Sequence, residues 1–142
     1  MREILFKAKR IDNGEWVEGY YMPRPNSPGK PRYYIVLLSQ AKWYEIDPET
    51  LCQYTGQTDK NGQKIWENNI VRSTASENER DWKLWKVMFM DGSFVFVPIA
   101  YVEKTRRKLK CEDELLCEDN INLYGLERVG NIFDYPELLK ED

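Results

Sequence analysis

The amino-acid sequence predicts a mainly β fold, in which antiparallel strands form a barrel or sandwich with at most one or two short helices. Short β-rich segments recur at intervals of roughly 8 to 15 residues, and turn-forming Gly, Asn and Pro residues separate them. Two turn pairs, Asn13-Gly14 and Asp91-Gly92, each lie between two such segments, which is typical of β-hairpins. Parallel strands would need a helix between them, so the pattern favours antiparallel pairing.

The first half of the chain predicts a hairpin, a proline-rich loop and two further strands. Ile4, Phe6 and Ala8 alternate with Leu5, Lys7 and Lys9, and residues 15–22 are again β-rich. Asn13-Gly14 between them suits a type I′ turn, because both residues tolerate a positive φ. Four of the chain's seven prolines fall within residues 23–31, which predicts an exposed loop. Strands are expected at residues 33–38 and 51–55, on either side of a break at Pro48.

The second half predicts a turn at residues 59–62, a short strand from Ile70 and a polar loop of modest order over residues 73–81. Residues 82–90 and 93–97 form two long β-rich segments around Asp91-Gly92 and predict the second hairpin. A helix is expected near residues 112–118, since residues 103–120 contain neither Gly nor Pro. Residues 129–133 predict a last strand or turn, followed by a short terminal helix with Pro136 in its first turn.

Length and composition restrict the class of protein. The chain has 142 residues and a formal charge of −3, so we expect one domain and no overall attraction to nucleic acid or membrane. It contains no histidine, which excludes the most common general base and zinc ligand. Cys52, Cys111 and Cys117 match neither a redox motif nor a zinc knuckle, and are expected to be reduced thiols. No stretch approaches the roughly 20 apolar residues of a membrane span.

Several motifs follow one another along the chain: an opening Met-Arg-Glu-Ile strand, an Ile-Asp-Pro-Glu-Thr segment that continues to Gln-Tyr-Thr-Gly, an Asp-Lys-Asn-Gly turn, and a closing Gly-Asn-Ile followed by Pro-Glu-Leu-Leu. Taken together and in this order, they resemble the motifs of the YopX family of bacteriophage and prophage proteins. One departure is Asn68-Asn69, where the family usually has Gly-Asp; Asn also tolerates the left-handed region, but a negative charge is lost. The residues that carry the family motifs are Asp47, Pro48, Tyr54, Thr55, Gly56, Asp59, Asn61, Gly62, Ile70, Gly130, Asn131 and Pro136.

The resemblance implies a predominantly β fold with an SH3-like barrel or roll, a phage origin and a location in the cytoplasm of a bacterial host. It implies no catalytic activity. We therefore expect a single YopX-like β domain over residues 1–142, with residues 1–45 as an alternative N-terminal hairpin subdomain packed on a barrel over residues 46–139. No catalytic, cofactor-binding or metal-binding residue is assigned from the sequence.

Two charged groups are candidate sites. The segment 104–110 is strongly basic and would attract a phosphate backbone, although the acidic residues that follow it compete, and a solvated charged face is the more ordinary interpretation. The alternative function is that of a small carboxylate enzyme dependent on a divalent ion, but no ligand spacing supports it. The residues of the basic segment are Lys104, Arg106, Arg107, Lys108 and Lys110, and those of the carboxylate set are Asp47, Glu49, Asp59 and Glu67.

The many aromatic residues point to recognition rather than catalysis. In a strand, Tyr20-Tyr21 and Tyr33-Tyr34 each place one ring on either face, so rings are expected on a surface as well as in a core. Trp82 and Trp85 cannot share a strand face without a bulge. We therefore expect a non-enzymatic binding module without a cofactor. Its partner is expected to be a second copy, a phage or host protein, or nucleic acid, and not a membrane.

Overall fold

The computed structural model describes residues 4–99 and 113–139, and within them antiparallel β-strands dominate. The chain packs as two units, Met1–Tyr54 and Thr55–Asp142. The predicted domain organisation, one domain over residues 1–142 with an alternative subdomain over residues 1–45, stays a prediction.

The first unit contains four strands and the start of a fifth. They are β1 (Phe6–Lys9), β2 (Trp16–Arg24), β3 (Arg32–Leu37), β4 (Lys42–Glu45) and β5 (Cys52–Thr58), in the sheet order β4-β3-β2-β1-β5. All four pairings are antiparallel. The predicted first hairpin is confirmed, but its turn is not type I′, since only Gly14 of the Asn13-Gly14 pair has a positive φ (72°). The hydrogen bond from Arg10 N to Glu15 O closes a longer loop.

Strand alternation divides the first unit into two faces. On one face Ala8 lies opposite Val17 and Tyr21 lies opposite Ile35, and these side chains form a core with Ile46. Tyr20 and Tyr34 lie on the other face, so each tyrosine pair has one ring on either face, as predicted. Strand β4 was not predicted, because a four-residue segment at the edge of a sheet shows too little alternation to be recognised.

The second unit contains the remaining strands and one helix. The strands are β6 (Lys64–Trp66), β7 (Asn69–Ser73), β8 (Lys83–Met90), β9 (Ser93–Pro98), β10 (Glu114–Leu115) and β11 (Leu126–Asn131), and the helix is α1 (Glu118–Tyr124). Strand β6 pairs with β5, and the others form a sheet in the order β10-β9-β8-β7-β11. Val71, Val87, Phe96 and Leu126 belong to its core. Asp91 (φ 51°) and Gly92 (φ 82°) form the predicted two-residue turn between β8 and β9, and their positive φ angles make it type I′.

One local prediction for the second unit, the helix near residues 112–118, is wrong. The helix begins at Glu118, where the predicted helix was expected to end, because Glu114 and Leu115 pair with Phe96 and Val95 and Leu116 is buried in the core. Trp82 and Trp85 do not share a strand face, since β8 begins at Lys83, one residue after Trp82. A short 3-10 turn (Pro136–Leu139) takes the place of the expected terminal helix and begins with the predicted proline.

The mainly β, antiparallel fold with one short helix is therefore confirmed. Within residues 4–99 and 113–139 neither sheet closes into a barrel, because each sheet order has two unpaired ends. The SH3-like arrangement stays a prediction. None of the helices in this part of the chain has the length and hydropathy that a membrane span requires.

Candidate functional site

The non-core face of the first-unit sheet combines exposed aromatic rings with basic side chains. Cross-strand pairs Lys9 with Trp16, Tyr20 with Val36 and Val36 with Trp43 establish which residues share it. Strands β1 to β4 contribute twelve residues to this surface, which we call the aromatic–basic face: Lys7, Lys9, Trp16, Glu18, Tyr20, Met22, Arg24, Arg32, Tyr34, Val36, Trp43 and Glu45.

Trp43 and Tyr20 are the most exposed rings of this face. Their exposed fractions are 47% and 53%, whereas Val36 between them is 3% exposed. Both lie opposite Val36 from the two neighbouring strands, so their backbones are two strand spacings apart, about 10 Å. An isolated exposed ring is unremarkable on a protein surface, but two rings over a shared apolar base form a platform.

Basic side chains lie directly against two rings of this face, Trp43 and Trp16. The guanidinium carbon of Arg24 lies 5.4 Å from the centre of the Trp43 ring, and the Tyr34 ring meets Trp43 edge-on at 5.5 Å. At the other end of the face, the ammonium groups of Lys7 and Lys9 lie 4.8 and 5.5 Å from the centre of the Trp16 ring. Cations at these distances are attracted by the ring quadrupole, which orders long side chains that would otherwise be mobile.

The face carries a local positive charge although the whole chain is negative. It holds four cations and two carboxylates, and 4 − 2 is an excess of two positive charges, compared with −3 for the full sequence. One carboxylate, Glu45, lies 3.6 Å from Arg32. Arg24 donates to the carbonyl of Pro23 and keeps its charge over Trp43. The face is thus suited to an anionic partner that also offers flat rings.

The motif residue Asp59, by contrast, belongs to the framework of the second unit. It is 5% exposed, and one carboxylate oxygen accepts hydrogen bonds from the backbone N–H groups of Asn61 and Gln63. The other oxygen accepts from the backbone N–H of Arg128 at 2.8 Å. Gly62 (φ 79°) completes the turn. The turn interpretation therefore accounts for this motif without a bound anion.

Asp47 and Pro48 build a second turn, in the first unit. The side chain of Asp47 accepts from the backbone N–H of Glu49, and Pro48 occupies the first position of a 3-10 turn (Pro48–Thr50). Thr50 donates to the carbonyl of Asp47 and accepts from the backbone N–H of Lys9 at 2.8 Å, which attaches the turn to β1.

The motif residues on β5 and β7 are also structural. Tyr54 is buried, and its backbone N–H donates to Leu5 O. The Thr55 hydroxyl donates to Ile65 O at 2.7 Å and so links β5 to β6. Gly56 has a φ of 85°, and Ile70 is fully buried.

The closing motif holds the C-terminal turn against β11. The side-chain oxygen of Asn131 accepts from the backbone N–H groups of Phe133 and Asp134, both at 2.9 Å. A side chain on Gly130 would begin 2.7 Å from the Tyr135 ring, so only glycine allows this approach. Pro136 then starts the last 3-10 turn.

The sequence model of the family described as "YopX protein" matches residues 7–140, which is nearly the whole chain. The chain belongs to the YopX family. It is also similar to a solved structure, described as the crystal structure of protein EF1440 from Enterococcus faecalis, with a TM-score of 0.59 and 22% sequence identity over 99% of this chain and 100% of that one. This similarity supports the fold alone. No curated protein matches the chain significantly.

The motifs that identify this YopX protein therefore specify turns and strand contacts rather than a reaction centre. Of the carboxylate set, Asp47 and Asp59 are engaged by backbone N–H groups, and residues 4–99 and 113–139 contain no group of three or more Cys, Asp or Glu side chains able to hold a metal ion. Glu49 and Glu67 belong to different units. The basic residues Lys104, Arg106, Arg107, Lys108 and Lys110 lie outside the described residues.

Sequence reasoning identified part of the aromatic–basic face and missed its centre. Alternation predicted that Tyr20-Tyr21 and Tyr33-Tyr34 each place one ring on either face, and the register confirms it, with Tyr20 and Tyr34 on the non-core face. Trp43 was not placed, because β4 was not recognised. The signal that could have found it is the pair Lys42-Trp43, a charged residue beside an aromatic one after the predicted strand at residues 33–38.

Proposed function

We propose that this YopX protein is a non-enzymatic module that binds single-stranded nucleic acid through the aromatic–basic face. The observation that carries the proposal is the arrangement around Trp43, an exposed ring with Arg24 over it, Tyr34 against its edge and Tyr20 across Val36.

Bases supply the flat surfaces that this face is able to stack. Exposed aromatic rings bind unpaired bases with little sequence preference, and each stacked base contributes about 1–3 kcal/mol by alanine substitution. Trp43 and Tyr20, about 10 Å apart, are placed for two bases of one strand. A duplex keeps its bases stacked on each other, so a platform of this kind favours single strands.

Phosphates supply the negative charge. Arg24 and Arg32 are cross-strand partners at one end of the face, and Lys7 and Lys9 lie at the other. A strand that stacks on the rings between them brings its backbone to both ends. The excess of two positive charges is confined to this face. The face can therefore attract phosphates although the whole chain has a net charge of −3.

A protein partner is the second candidate, since Trp, Tyr and Arg are also enriched at protein interfaces. The centre of such an interface is depleted of charged residues. Here Arg24 lies over the Trp43 ring and Glu45 is the cross-strand partner of Tyr34. Val36, the aliphatic residue between Tyr20 and Trp43, is buried. The mixture of charge and aromatic surface therefore favours nucleic acid.

Fluorescence anisotropy with labelled oligothymidine and oligouridine tests the proposal. We expect saturable binding with a Kd of about 10 µM at low salt, which weakens as salt rises. Trp43→Ala should weaken it about tenfold or more. The matched control is Phe89→Ala, which removes a ring that is 52% exposed in the second unit and should leave binding unchanged. Absence of binding by the wild type, or equal losses in both variants, would contradict the proposal.

A further inference from the structure

A pocket of about 310 Å³ opens on the second unit, away from the residues used above. Its lining includes two aromatic rings, two hydroxyl groups and one side chain of each charge, from Ser73, Ser76, Asp81, Lys83, Trp85 and Tyr124. The volume is at the lower end of the range for small-ligand sites and suits a ligand of about a dozen non-hydrogen atoms.

The apolar floor of the pocket is held in place from several sides. Trp85 and Tyr124 meet edge-on at 5.7 Å, and both pack edge-on against Phe96. The indole N–H of Trp85 donates to the Ser73 hydroxyl at 3.1 Å, and the phenol of Tyr124 donates to Glu114 at 2.9 Å. The two rings therefore present a preformed apolar surface.

The wall of the pocket is a hydrogen-bonded loop rather than the loosely ordered segment that the sequence suggested. Its residues include a 3-10 turn (Glu79–Asp81), with Asn78 accepting from the backbone N–H of Arg80. The indole N–H of Trp82 donates to Ser76 O, and the Ser76 hydroxyl donates to Asp81. These contacts fix the position of the Asp81 carboxylate beside the pocket.

The rim of the pocket carries one negatively charged and one positively charged side chain, Asp81 and Lys83. Asp81 uses one carboxylate oxygen for Ser76, which leaves the other for a ligand. Among the residues that the structure describes, the Lys83 ammonium has no hydrogen-bond or ion-pair partner. A ligand that carries an ammonium group, a carboxylate and an aromatic body would contact Asp81, Lys83 and the two rings together.

We propose that this pocket binds a free aromatic α-amino acid. The ring lies against Trp85 and Tyr124, the carboxylate pairs with Lys83, and the ammonium pairs with Asp81. Because both charges stand at an exposed rim, each pair contributes little, and the affinity is modest, with a Kd of about 1 mM.

Titration of the full chain with L-phenylalanine, followed by NMR of ¹⁵N-labelled tryptophan side chains, tests this proposal. The five indole N–H signals are assigned by single Trp→Phe substitutions. We expect saturable movement of the Trp85 signal and none of the Trp43 signal. Phenylalaninamide, which lacks the carboxylate, and 3-phenylpropionate, which lacks the ammonium, should each bind about fivefold more weakly.

Two variants check the assignment of charges. Lys83→Gln should weaken phenylalanine about fivefold and remove the preference over phenylalaninamide, and Asp81→Asn should remove the preference over 3-phenylpropionate. Lys30→Gln and Glu79→Gln are the matched controls, exposed residues outside the pocket lining, and should bind as the wild type does. No saturable movement of the Trp85 signal, equal binding of the three compounds, or unchanged preferences in both variants would overturn the proposal.

Discussion

The carboxylate of Asp59 accepts a hydrogen bond from the backbone N–H of Arg128, a residue 69 positions further along the chain, at 2.8 Å. Next to it, the backbone N–H of Lys60 donates to Leu126 O at 3.0 Å. Arg128 and Leu126 belong to β11, an outer strand of its sheet. The Asp59 turn thus occupies part of an edge that would otherwise expose unpaired backbone groups.

Removal of the Asp59 carboxylate should destabilise the second unit. Asp59→Ala removes the acceptor of three part-buried hydrogen bonds from backbone N–H groups, and we expect a loss of about 2 kcal/mol in the free energy of unfolding. Urea denaturation followed by circular dichroism measures it. Glu77→Ala, in an exposed loop, is the control and should stay within about 0.5 kcal/mol of the wild type. A similar small change for Asp59→Ala would show that the turn does not depend on this carboxylate.

A side chain at Gly130 should clash with one particular ring. The new Cβ would lie 2.7 Å from the Tyr135 ring, and Gly130→Ala should cost about 1–3 kcal/mol of stability. Tyr135 is half exposed, so its ring can be removed without opening a core cavity. In Gly130→Ala/Tyr135→Ala most of the loss should disappear, as measured by a double-mutant cycle. Additive losses in the cycle would contradict the clash.

Residue patterns predicted much of the fold because the hairpins are specified locally. Asp91-Gly92 determines the turn, and the segments on both sides alternate, so β8 and β9 were placed within one residue. The segment at Glu114 and Leu115 was misassigned to a helix, because its place beside β9 depends on contacts distant in sequence. Local propensity contains no information about such contacts.

The candidate site was less predictable than the fold. The face that a ring occupies follows from alternation, which correctly separated Tyr20 from Tyr21. The cluster around Trp43 depends on β2, β3 and β4 lying side by side, so that Arg24 and Tyr34 both reach one ring. Sequence order alone does not bring these three residues together.

Tyr124 should titrate at an elevated pH. Its hydrogen bond to Glu114, together with partial burial, raises the pKa of the phenol above the ordinary 10.0. The neutral phenol is therefore favoured in the folded state. The stability that it contributes is fully present below pH 10 and is lost as the pH rises through the folded-state pKa.

NMR titration with ¹³C-labelled tyrosine measures this pKa directly. Glu114→Gln should lower the Tyr124 pKa towards its ordinary value, since the negative partner is removed. Glu118→Gln, which removes a carboxylate at the other end of the same helix, serves as the comparison. If both variants titrated as the wild type does, the Glu114 contact would have no role in the shift.

The aromatic–basic face and the basic segment at residues 104–110 make different predictions for salt dependence. If the face binds the strand, Arg24→Gln/Arg32→Gln should reduce the slope of log K against log salt by about 1.4, because two phosphate contacts are lost. Replacing Lys104, Arg106, Arg107 and Lys108 with Ala should leave the slope nearly unchanged. Anisotropy titrations over a salt series measure both, and the opposite ranking would assign binding to the basic segment.

Photocrosslinking tests the central claim most directly, because it reports which residues touch the bases. Oligothymidine with 5-iodouracil at single positions is irradiated with the full chain, and the crosslinked peptides are identified by mass spectrometry. We predict crosslinks to Trp43 and Tyr20. In Trp43→Ala the crosslink at position 43 should be lost, and the crosslink to Tyr20 should remain. Crosslinks confined to residues 55–142, or none at concentrations that saturate binding, would contradict recognition by the aromatic–basic face.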